Sequence, residues 1–182
     1  MRSWQILSWE RLQGLANRVI ILSVADVALS TGTALSSLDS IIKNSLSKAS
    51  SHTREVYSQN PLTASEVIEL ANSRVLTLAA TVRPDGRPHL SPTDFVVVDG
   101  VFYLGVDEAT ARYRNLRANP AITVMLADGS KRQAILEGNA KFLDMKSGTA
   151  MRVLEAQKKK YGWTTDALAE FQPVKAFTWK AK

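Results

Sequence analysis

From residue 75 to residue 143 the chain is a succession of short β-rich runs separated by tight-turn signals. That spacing restricts it to a small antiparallel β architecture, closed or nearly closed on itself. The runs are 75–82 (VLTLAATV), 87–98, 101–106 (VFYLGV), 121–127 (AITVMLA) and 132–143. Between them stand Arg83-Pro84-Asp85-Gly86, Asp99-Gly100 and Asp128-Gly129-Ser130. Each combines a residue that tolerates or presets a turn dihedral with a glycine. Asp99-Gly100 is the strongest of the three, because Asp-Gly suits the positive φ that a type I′ two-residue hairpin needs at both positions. Pro88 and Pro92 cannot donate to a ladder, so the run that holds them is edge-like or bulged. Gly138 marks a bulge or bend in the fifth run. A sixth strand is expected over 174–180, after Pro173.

Helical signals lie between and around the strands. Thr63 with Glu66 three residues later is a capping box, and the helix it opens places Val67, Leu70 and Ala71 on one face. A short helix over 110–119 is stopped by Pro120. A basic helix is expected over 146–161 and a shorter one over 164–171. The expectation is mainly β with flanking helices (α+β): a six-stranded antiparallel barrel over residues 61–182.

Residues 1–60 differ from the rest. They are rich in serine, and their one apolar stretch, residues 19–29 (VIILSVADVAL), is interrupted by Ser23 and Asp26. It is too short and too polar to span a bilayer. Arg2, Arg11 and Arg18 precede it, which admits a signal peptide, but with a long basic region and no clean cleavage site. Met1 is the only methionine before Met125. A start at the codon for Val56 would make residues 1–55 a misassigned extension. The structural alternative is one or two amphipathic helices over 4–29 and 35–46, weakly packed on the barrel.

Composition closes several routes. The chain has 182 residues and no cysteine, which excludes disulfides, thiolate nucleophiles and cysteine-ligated metals. Its two histidines, His52 and His89, are too far apart for a recognisable metal site. No nucleophile triad or carboxylate pair is evident, so no catalytic residue is assigned. The net charge of +6 suits an anionic cofactor, nucleic acid or an anionic membrane equally and does not choose among them.

Three segments in order carry a resemblance: ATVRPDGRPHLSPTDFVVVDGVFYLGVD at 80–107, TARYRNLRANPAITVML at 110–126, and ILEGNAKFLD at 135–144. With the closing PVKAFTW at 173–179, they resemble the split-barrel flavoproteins of the pyridoxamine 5'-phosphate oxidase-like group. The resemblance implies a split barrel that pairs as a homodimer and binds flavin mononucleotide (FMN) at the interface. It implies that His89, Leu90, Ser91, Pro92 and Thr93 lie along the isoalloxazine ring. It also implies that Thr110, Ala111 and Arg112 lie near the phosphate.

The local chemistry agrees at the helix start. Free backbone N–H groups and the positive end of the helix dipole favour an anion there. Thr110 is a plausible N-cap, and the Arg112 guanidinium suits a charge-assisted phosphate contact. Ala111 stands where the family often has a second basic residue, and Arg114 or Arg117 is available to compensate. The plainer readings are that these arginines form a charged outer face, that Ser91 is satisfied by backbone, and that His89 has no chemistry. Lys158, Lys159 and Lys160 read as a solvated helix end, and Trp163 and Trp179 as core or interface residues.

With a flavin the chain is expected to be an oxidoreductase exchanging hydride with a small organic molecule through the flavin N5 atom. The chain ends FQPVKAFTWKAK, without the Arg-rich segment of authentic pyridoxamine phosphate oxidase, so vitamin B6 oxidation is not expected. The alternatives are a reductase using the deazaflavin F420, a non-enzymatic flavin- or haem-binding protein, and a nucleic-acid-binding barrel. The expectation is a cytoplasmic protein with no metal, no nucleic acid and no membrane partner.

Overall fold

In the computed structural model, residues 35–182 are described. The expectations for a helix over 4–29 and for a signal peptide lie outside the described residues. The elements run α1 (residues 35–47), α2 (Ser51–Ser58), α3 (Ala64–Asn72), β1 (Leu76–Val82), β2 (Pro88–Pro92), β3 (Asp94–Val98) and β4 (Val101–Val106). They continue with α4 (Ala111–Ala118), β5 (Ala121–Asp128), β6 (Arg132–Phe142), α5 (Gly148–Tyr161) and β7 (Ala167–Lys180).

All seven strands form one antiparallel sheet in the order β2-β1-β5-β6-β7-β4-β3. Its two edge strands, β2 and β3, are joined in the chain by Thr93 alone. The sheet therefore curls until its edges meet at that corner, which makes it a split barrel. The phenyl rings of Phe95, Phe102 and Phe171 pack inside, with centroids 5.4–6.3 Å apart. They belong to one buried cluster with Leu104, Val124, Leu126 and Leu136.

The strand count is seven rather than six, and the last strand is longer than expected. The run 87–98 breaks at Thr93, where one segment leaves β1 and the next joins β4. The helix expected over 164–171 is instead the first part of β7, which runs unbroken from Ala167 to Lys180. Ala167, Leu168, Ala169 and Phe171 are buried there between β4 and β6, and tertiary pairing outweighs the helical propensity of Ala-Leu-Ala-Glu. Pro173 does not end this strand. It sits opposite Gly138, where the register shifts between Glu137 and Gly138. A Cβ at Gly138 would run into the Gln172 carbonyl, so the bulge needs glycine.

The turns form as their residues dictate. Asp99 and Gly100 both have positive φ, 52° and 77°, the conformation of a two-residue primed hairpin turn. The Thr63 hydroxyl accepts from Glu66 N–H, and Glu66 Oε2 accepts from Thr63 N–H, completing the capping box. The α1 helix is seated on the barrel. Leu38 and Ile42 are buried in the barrel's own cluster, Ser45 Oγ accepts from Ala176 N–H at 2.9 Å, and Asp39 caps Ala64 N–H at 3.0 Å. Among the described residues no helix is long and apolar enough to cross a membrane.

Candidate functional site

The eight residues expected at the cofactor site fall on two elements, the edge strand β2 with its exit residue Thr93 and the start of α4. The structure brings the two together. Thr110 is the N-cap of α4, its hydroxyl accepting from Tyr113 N–H at 3.2 Å. Ala111 begins the helix, and Arg112 turns inward rather than onto a charged outer face; it is 8% exposed. Arg112 Nη1 donates to Ser91 Oγ at 3.0 Å and to Pro92 O at 2.5 Å, and Nη2 donates to Gly105 O at 3.3 Å. Arg114 and Arg117 take the outer face. Arg114 donates to Ala109 O, and Arg117 lies over the Phe142 ring.

Arg112 has no carboxylate partner in a salt bridge. Its three acceptors are neutral, and its Nε is buried with no partner at all. Burial pushes its pKa down, opposed by the more distant Asp94 and Asp107. A sunken cation without an anion is costly unless a ligand supplies the charge. His89 Nδ1, on the facing strand, is the other buried side-chain polar atom without a partner among the described residues.

The β2 edge has a simple polarity. Thr93 N–H donates to Thr77 O, so in this antiparallel ladder Thr93, Ser91 and His89 turn their backbone groups to β1. Pro88, Leu90 and Pro92 then face away from it. Both prolines occupy positions whose missing N–H costs no ladder bond, which is why the strand tolerates them. The outward-facing amide donor of β2 is Leu90 N–H, and the Leu90 side chain beside it is 63% exposed.

A groove of about 400 Å³ opens at the start of α4, lined by Arg83, Pro84, Asp85, Ala111, Arg114 and Asn115. Asp85 is committed to Arg87 at 2.6 Å. The positive charge of Arg83 and Arg114 and the free N–H groups of the helix start therefore face this groove together. The small Ala111 side chain leaves that backbone open to approach. The residues present fit a phosphate-bearing cofactor: a buried Arg112 guanidinium with no carboxylate partner, its Nε without a hydrogen bond, the orphaned His89 Nδ1 and an open helix N-terminus. No group of three or more metal-ligating side chains occurs among the described residues.

Supporting residues emerged that the linear sequence does not mark. Asn115 Nδ2 donates to Thr81 Oγ1 at 2.9 Å, pinning α4 to β1. Behind Arg112, Gly105 lies against the buried Gln157 amide, which a Cβ there would strike. Gln157 Nε2 and Trp163 Nε1 both donate to Asp94 Oδ2, each at 2.8 Å. Trp163 is thus 57% exposed and tethered, not a core residue of the chain. Lys160 is not solvated: it is half-buried, and its ammonium donates to the Ala71 and Phe95 carbonyls.

Comparison with known proteins bears on the family and the fold. The family model described as pyridoxamine 5'-phosphate oxidase matches residues 63–181. No curated protein matches in sequence. Among solved structures, the conserved hypothetical protein Rv2991 from Mycobacterium tuberculosis is 22% identical with a TM-score of 0.58, covering 69% of this chain and 89% of its own. The haem storage protein HutZ from Vibrio cholerae is 22% identical with a TM-score of 0.53, covering 62% of this chain and 92% of its own. A putative pyridoxamine 5'-phosphate oxidase from Listeria innocua is 15% identical with a TM-score of 0.54, covering 64% of this chain and 98% of its own. At these identities the structures share the fold. The family model spans most of the chain, including both elements of the site, and the protein belongs to the pyridoxamine 5'-phosphate oxidase family.

Proposed function

We propose that the protein binds FMN along β2 and the start of α4 and acts as a flavin-dependent oxidoreductase on a small organic substrate. One observation carries this reading: the Arg112 guanidinium is buried without a carboxylate, bonded to Ser91 on the edge strand, with Nε left unpartnered. The helix N-terminus, Arg112, Arg83 and Arg114 hold the phosphate. Leu90 N–H and the half-buried His89 imidazole address the ring edge. The bound flavin supplies the hydride chemistry. The chain's own part is to orient the ring against β2 and to shield one face from water.

The partner in this reading is a second copy of the chain. Support comes from the outer face of the sheet, where Val82, Leu90 and Val174 are exposed at 37%, 63% and 65%. A groove of about 370 Å³ lies on the same face, between Pro88, Glu137 and Val174. A pair of copies covers this apolar surface, as the family resemblance implies, and turns the open side of β2 into a cleft.

The visible spectrum of the purified protein, with mass spectrometry of the released ligand, tests the cofactor. Flavin bands support FMN. A colourless protein that binds F420 tightly and FMN not at all moves the reading to a deazaflavin reductase. A second reading, haem binding, is favoured by the orphaned His89 Nδ1 and by the shared fold with a haem storage protein. A Soret band that disappears in His89→Ala would establish it and overturn the flavin assignment.

A further inference from the structure

Among the described residues, Arg112 is one of two cations that the fold sinks without a salt-bridge partner; the other is Lys160. This lysine lies beside the free edge of β3. Its Nζ donates to Ala71 O, at the end of α3, at 2.5 Å and to Phe95 O at 2.7 Å. Two of its three protons are used, and the third remains. Beside it, Tyr161 OH and Asn72 Oδ1 accept from two further edge groups, Phe95 N–H and Val97 N–H. This shields the edge from a further strand.

A recess of about 430 Å³ opens here, lined by Asn72, Arg74, Val96, Ala156, Lys159 and Lys160. It holds three cations and no carboxylate. Arg74 spends only its Nε, on the Lys160 carbonyl. Its two terminal nitrogens and the Lys159 ammonium make no hydrogen bond or ion pair with any described residue. The nearest acid on β3, Asp94, is occupied by Gln157 and Trp163. Lysines in the last turn of a helix ordinarily complement its dipole. Lys160 departs from that role, because its ammonium serves carbonyls of α3 and β3 while Arg74 satisfies the α5 terminus. Burial also holds the Lys160 pKa down at about 8, a cost that an anion in the recess would offset.

We propose that this recess is an anion-binding site for a small organic molecule. Its phosphate or carboxylate head is held by Arg74, Lys159 and Lys160, and its compact apolar body lies against Val96 and Ala156. The volume is that of a small-ligand pocket, and the cluster is independent of the flavin reading, sharing no residue with it.

The test titrates phenyl phosphate, benzoate and inorganic phosphate into the full chain, followed by calorimetry and by NMR of ¹³Cε-labelled lysines. Saturable binding of phenyl phosphate or benzoate is expected, tighter than inorganic phosphate because of the apolar wall; which of the two wins identifies the head group. The Lys160 resonance should titrate at a higher pH in the complex, since an anion favours the ammonium. The other groups facing it are Arg74, Lys159 and Tyr161, with Asp94 at longer range. Arg74→Ala and Lys159→Ala, both at exposed positions, should each weaken binding roughly tenfold and leave FMN binding unchanged. Absence of saturation with either organic anion, or equal affinity in the Arg74→Ala/Lys159→Ala double variant, would overturn the proposal. Binding at the α4 site would show itself as that second result.

Discussion

Arg112 Nη1 lies 3.0 Å from Ser91 Oγ and, with a second bond to Pro92 O, ties the first turn of α4 to the edge strand β2. Twenty-one residues separate the two in the chain. The expected ring-binding strand and the expected phosphate-binding helix start thereby become one surface.

Arg112→Met should lower FMN affinity by about 1.5–3 kcal/mol, roughly ten- to a hundredfold, since hydrogen bonds to a charged group are worth that much. Ser91→Ala should cost less, because Pro92 O and Gly105 O still orient the guanidinium. Flavin fluorescence titration distinguishes the two. Equal losses would mean that Ser91 itself contacts the cofactor.

The α1 helix contributes to the barrel core. Leu38→Ala should lower unfolding stability by about 2–4 kcal/mol, the cost of a large-to-small change at a buried site. Chemical denaturation measures it. A change below about 0.5 kcal/mol, the range of ordinary surface substitutions, would mean that α1 leaves the barrel in solution.

Thr63→Ala removes the hydroxyl that accepts Glu66 N–H and should cost about 1 kcal/mol. Glu66 is coupled to it and to Lys180, whose hydrogen bond is the first cause holding the Glu66 pKa below its usual value. The Thr63→Ala/Glu66→Ala double variant should therefore lose less than the sum of the single losses, which a double-mutant cycle reads directly.

Lys160 gives a pH dependence of defined sign. Its folded pKa is about 8 against an ordinary 10.5, so between these values the unfolded chain holds a proton that the folded chain has released. This group's contribution to stability therefore rises as pH increases from about 8 toward 10.5. The neutral amine still has two N–H donors for the Ala71 and Phe95 carbonyls. Urea unfolding of the wild type and Lys160→Gln across this window should show the difference between them growing with pH. A flat difference would contradict the burial of the ammonium.

Local chemistry was legible at Asp99-Gly100, at Gly138 and at Thr63/Glu66, because each depends on dihedrals or on partners within a few residues. The edge character of the strand holding Pro88 and Pro92 was legible for the same reason: a residue without an N–H cannot sit in a central ladder. The strand over 167–171 was not legible. Its residues suit a helix, and only pairing with β4 and β6 makes them extended. Lys160 read as a solvated helix end because no window of sequence contains both the Ala71 and Phe95 carbonyls that draw it inward. The association of His89–Thr93 with Thr110–Arg112 came from family resemblance, not from any period in the residues.

The sequence by itself determined where the chain turns, where helices α3 and α4 begin, and that prolines confine β2 to an edge. These depend on bond geometry and neighbouring groups. Tertiary structure alone decided that β2 and β3 are the two edges of one curled sheet and that α1 closes the core. It also decided that Arg112 is buried against Ser91 without an acid. Those outcomes depend on which distant surfaces exclude water from one another, and no stretch of sequence holds both sides of such a contact.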